Sequence, residues 1–65
     1  MLESEAFEGQ LIKVTSGKCK NKRGFIRVKD VYDASVRLED EDSEKGFINC
    51  LLPYEKFEPL GVNAS

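Results

Sequence analysis

The chain has no histidine and no tryptophan, and only two cysteines and two prolines. Without imidazole it lacks the commonest general base and the commonest metal ligand. Cys19 and Cys50 stand 31 positions apart and form no C-x-x-C pair, so no zinc site is expected. They are read as two reduced, separate thiols, one in a loop and one in a strand. Asp40 and Asp42 have a carboxylate spacing that suggests calcium, but the glycine and distal glutamate of an EF-hand loop are out of register. No apolar run is long enough to cross a bilayer. The opening Met1-Leu2-Glu3-Ser4-Glu5 is acidic, the reverse of a cationic targeting segment. These absences point to an intracellular protein, cytoplasmic or nuclear, with no membrane partner. They also point away from an enzyme, a cofactor and a small-molecule substrate. No nucleophile–base constellation and no phosphate-cradling glycine motif is present.

What the chain does have is charge, and it is segregated. The net charge is −2. From Lys13 to Lys29 there are seven basic residues and no acid: Lys13, Lys18, Lys20, Lys22, Arg23, Arg27 and Lys29. From Asp30 to Lys45 seven acids face only Arg37 and Lys45. Fields are local within a Debye length of about 8 Å at physiological salt, so a partner at the basic run feels that run more than the net charge. The acidic turn from Glu39 to Glu44 is expected to be a solvated hairpin end. It would either repel nucleic acid toward an opposite basic loop or dock a basic protein surface.

At 65 residues the chain is one domain, burying only roughly 60% of its unfolded surface. A polar lead-in is expected over residues 1–8, anchored by Phe7, then a β domain over 9–60 and a flexible tail over 61–65. Leu11-Ile12-Lys13-Val14-Thr15 alternates, with Ile12 and Val14 on one face. Gly24 to Asp30 forms a second strand, with Ile26 and Val28 inward and Phe25, Arg27 and Lys29 outward. Ser35 to Glu39 is the third, with Val36 and Leu38 inward. Phe47 to Leu52 is the fourth. Pro53-Tyr54-Glu55-Lys56 breaks the ladder in a single 3₁₀ turn, and Phe57 to Leu60 is a short edge strand because of Pro59. Short strands with turn signals about every 10 residues describe a small barrel or sandwich. Phe25, Tyr32, Phe47, Tyr54 and Phe57 are expected mainly in core and rim packing. Phe25 is the exception, placed on the surface near the basic loop.

The run Ile12-Lys13-Val14-Thr15-Ser16-Gly17-Lys18-Cys19-Lys20-Asn21-Lys22-Arg23-Gly24-Phe25-Ile26 resembles the KOW motif of ribosomal proteins, transcription-elongation factors and RNA-processing factors. The resemblance implies an all-β fold, a small five-stranded SH3-like (Tudor-like) barrel. Gly17 falls on the glycine that opens the motif's loop and Gly24 on the glycine that marks the family. Asn21 stands where many members have a further glycine, and asparagine is among the non-glycine residues that best tolerate positive φ. The implied function is non-enzymatic nucleic-acid binding, RNA more than DNA, in translation, transcription elongation or RNA processing. The expected contacts are Lys18, Lys20, Asn21, Lys22, Arg23 and Phe25, with Arg27 and Lys29 extending the track. Arg37 and Lys45, set among acids, are expected to take no part. The alternative is a protein-interaction barrel docking a polymerase, ribosomal protein or peptide, as a subunit of a larger complex.

Overall fold

Where apolar and polar residues alternate, the chain is extended; where glycine, asparagine or a run of acids interrupts the alternation, it turns. A computed structural model describes residues 1–60, so the expected tail over 61–65 lies outside the described residues. Five strands result: β1 (Leu11–Val14), β2 (Arg23–Lys29), β3 (Asp33–Glu39), β4 (Phe47–Pro53) and β5 (Phe57–Pro59). All pairings are antiparallel, in one sheet of order β4-β3-β2-β1-β5. The fold is the all-β, five-stranded, barrel-like fold expected. The 3₁₀ turn between β4 and β5 is present at Tyr54–Lys56. A second such turn, at Glu3–Glu5, had no sequence signal.

The core is one cluster: Ile12, Val14, Ile26, Ala34, Val36, Leu38, Tyr54, Phe57 and Ala6. Phe57 is the largest side chain fully enclosed. Its ring lies 5.8 Å from that of Tyr54, and the Tyr54 hydroxyl donates to the carbonyl of Asp30. The lead-in contributes through Ala6 and through Met1, which packs against the cluster. Phe7, the expected anchor, is instead 59% exposed. The backbone explains the swap. Gln10 N–H donates to the Phe7 carbonyl and Gly9 N–H to that of Ile26, a turn that leaves Ala6 inward and Phe7 outward.

Strand β2 departs from simple alternation. Ile26 pairs with Val36, yet Val28 pairs with the very next residue back along β3, Ser35. Arg27 is therefore the extra residue of a β-bulge, and every side chain after it changes face. Val28, expected inward, is 54% exposed. Lys29, expected outward, shares a face with buried Ala34, its cross-strand partner.

Gly24 sits where β2 and β3 come too close to admit a side chain. A Cβ built there would lie 1.7 Å from the Arg37 carbonyl oxygen and 2.9 Å from Leu38 Cα. Its value is close backbone approach, not a left-handed conformation.

Candidate nucleic-acid interface

The loop between β1 and β2 is tied at its base and turned twice. Val14 N–H donates to the Lys22 carbonyl at 2.9 Å, and Asn21 N–H to the Val14 carbonyl at 2.8 Å. Within the loop, Lys20 N–H reaches the Gly17 carbonyl at 3.2 Å and Lys22 N–H that of Cys19 at 2.9 Å. Gly17 has φ 89° and Asn21 φ 77°, so the asparagine takes the left-handed conformation anticipated for it. Cys19 tucks inward against the core. Lys18, Lys20 and Asn21 are exposed around it.

Two of the expected contact residues are already engaged. Lys22 Nζ lies 3.4 Å from Asp40 Oδ1, and Lys29 Nζ lies 2.9 Å from Glu3 Oε2. The bulge accounts for Lys29, since it sends that residue toward the lead-in instead of along the outer face. The acidic turn does not oppose the basic loop; it stands beside it. Asn21, Lys22 and Arg23 share a depression of about 350 Å³ with Glu39, Asp40, Glu41 and Asp42. In an antiparallel meander the β1–β2 and β3–β4 connections leave the same end of the sheet, which explains the juxtaposition. Asp40 also accepts from Asp42 N–H at 3.1 Å, so one carboxylate shapes the acidic turn and pairs with the loop. Lys18, Lys20, Arg23 and Arg27 form no salt bridge among the described residues.

Beside the loop, the outer face of the sheet carries a groove of about 360 Å³. Cross-strand register builds it. Leu11 pairs with Phe25, Phe25 with Arg37 and Arg37 with Asn49, so these four form one row across β1, β2, β3 and β4. Arg37 Nε donates to Asn49 Oδ1 at 3.3 Å. Its guanidinium carbon stands 4.1 Å from the centroid of the Phe47 ring, a cation–π stack. Arg23, Gly24, Leu38, Glu39 and Leu60 complete the walls, so one carboxylate residue lines the groove beside the two arginines. Phe25, on the face opposite Ile26, is half-buried and lines this groove. Arg37, expected to stand apart, belongs to the same groove as Arg23 and Phe25. Phe47 and Arg37 were missed because acidic neighbours in sequence say nothing about cross-strand neighbours. Fixing the β2–β3 register would have found them.

Cys50 lies on β4, with its Sγ 3.9 Å from that of Cys19. The two thiols read as separate are therefore neighbours. Burial, the Cys19 thiol and the carboxylate of Asp40 push the Cys50 thiol above its ordinary value, and Lys22 only partly opposes them. Among the described residues no helix is long and apolar enough to cross a membrane. No family model, curated protein or solved structure matches this chain.

Proposed function

We propose that this domain is a non-enzymatic nucleic-acid-binding module that takes single-stranded RNA in preference to DNA. The observation that carries the reading is the adjacency of two features. Lys18 and Lys20 are exposed in the loop, and Arg23, where that loop enters β2, lines a groove with Phe25, Arg37, Phe47 and Glu39. Unpaired bases stack on aromatic rings and guanidinium planes, while lysines neutralise phosphates and release counterions. Duplex DNA keeps its bases stacked inside and offers the groove nothing to enclose. With so few phosphates in reach, affinity falls in the non-specific range of about 10⁻⁴ to 10⁻⁶ M. The resemblance to the KOW motif supports the same class of function. Work in translation, transcription elongation or RNA processing is the setting that resemblance implies.

The test is a titration of labelled single-stranded RNA at two salt concentrations. Lys18→Ala with Lys20→Ala weakens all sequences about equally and flattens the salt slope by about one unit for each lysine removed. Phe25→Ala costs roughly 1–3 kcal/mol with the salt slope unchanged, as for a stacking platform. Lys22→Ala has the smaller effect, because Asp40 already balances that charge. Unaltered binding by the Lys18/Lys20 double variant would remove the loop from the mechanism.

The acidic turn beside the loop favours a second reading, a barrel that docks a protein. In that case the partner survives nuclease treatment and is released by charge reversal at Glu39, Glu41 and Asp42, which line the mixed-charge depression. Loss of all bound material on nuclease treatment decides against it.

A further inference from the structure

The chain's two cysteines meet across the fold. They are distant in sequence, carried by a loop and by a strand that does not pair with either strand flanking that loop. Even so, their sulfurs lie 3.9 Å apart, and both side chains pack against the core without being sealed from solvent. We propose that Cys19 and Cys50 form a reversible intramolecular disulfide that locks the basic loop onto β4. The inference rests on this geometry alone and stands whatever the loop binds.

A disulfide needs a sulfur–sulfur distance of about 2.05 Å. Cys19 sits in a loop held by hydrogen bonds at its base, between Val14 and Lys22 and between Asn21 and Val14. The loop between those ties can close the gap without breaking the sheet. Cys50 is fixed by the β3–β4 ladder, opposite Val36, so Cys19 is the sulfur that moves.

The chemistry balances with a peroxide as oxidant. The thiolate is the nucleophile in such chemistry, and Cys19 is only partly buried on its loop. Its thiolate attacks one peroxide oxygen, the O–O bond breaks, and the sulfur becomes a sulfenic acid; the second oxygen leaves as hydroxide and takes the proton the thiol gave up, forming water. Cys50 then attacks the Cys19 sulfur. The S–S bond forms, the S–O bond breaks, and the thiol proton leaves with hydroxide as a second water. Two electrons pass from the thiol pair to one hydrogen peroxide. A dithiol reductant reverses the step by exchange.

The experiment uses the reduced full chain and hydrogen peroxide, with intact mass, free-thiol count and a non-reducing gel as readouts. Both thiols disappear together, the mass falls by two hydrogens, and no cross-linked dimer forms. Digestion releases a peptide joining Cys19 to Cys50, and dithiothreitol restores both thiols. Pairing is about tenfold or more faster in the folded chain than in urea, because the fold holds the sulfurs together. Trypsin cuts after Lys18, Lys20 and Lys22 more slowly in the oxidised form than in the reduced one. Cys19→Ser abolishes the mass loss and the protease protection while leaving the reduced fold intact. Oxygen addition without a cross-link, a disulfide between two chains, or equal rates folded and unfolded would each overturn the proposal.

Discussion

Single residues here divide into those whose role is written in their own chemistry and those whose role is set by a neighbour. Gly24 is of the first kind. Any Cβ at that position meets backbone atoms of Arg37 and Leu38, which cannot swing aside as a flexible side chain would. Gly24→Val pushes β2 from β3 and costs about 3 kcal/mol or more, a large share of the stability of a domain this small. Gly17→Ala meets open space, with only the left-handed backbone opposing it, and costs about 1–2 kcal/mol. Urea midpoints of the two variants check the order, and a wild-type midpoint for Gly24→Val would contradict the close approach. Asn21 was equally legible, because its residue type alone signals tolerance of positive φ. Lys22 and Cys19 were not. Their partners Asp40 and Cys50 are remote in sequence, and no local pattern carries that information.

At the scale of the element, β1 and the 3₁₀ turn before β5 follow from alternation and from Pro53 and occur where expected, whereas β3 begins two residues earlier, at Asp33, and brings Ala34 into the core. Strand β2 shows what alternation omits. A bulge has no strong signature in side-chain type, since it is settled by how two backbones pair. Its consequence is measurable. Ile26 is fully buried, and Ile26→Ala costs about 2–5 kcal/mol. Val28→Thr, two residues on and on the same face by strict alternation, changes stability by no more than about 0.5 kcal/mol. Thermal or urea unfolding of the pair checks this. Equal losses would mean that Val28 is inward and the bulge is absent. The same shift directs Lys29 to Glu3, so the basic track ends before the end of β2. The candidate site is accordingly more compact than a run of basic residues suggests, and it gains Arg37 and Phe47 from neighbouring strands.

The whole molecule draws on more of the chain than its β pattern indicates. Ala6 is buried in the same cluster as Ile12 and Phe57, though nothing in the polarity of Glu3, Ser4, Glu5 and Glu8 marks the segment as structural. Ala6→Asp places an unpaired carboxylate in that cluster and costs about 2 kcal/mol or more, whereas Phe7→Asp, at an exposed position, is near neutral. A calorimetric melting comparison separates them, and equal melting temperatures would show the lead-in to be dispensable. The pairing of β1 with β5 has a consequence for how this architecture is reached. Strands β2, β3 and β4 join neighbours in sequence across short turns, but Val14 must find Phe57 from nearly the far end of the described chain. The entropy of closing such a loop grows only logarithmically, by about 0.6 kcal/mol per doubling of length, yet it is spent before any contact repays it. On that ground the meander condenses first and β1–β5 closes over it. Because Phe57 is both the partner of Val14 and the largest enclosed side chain, the last pairing to form also completes the core.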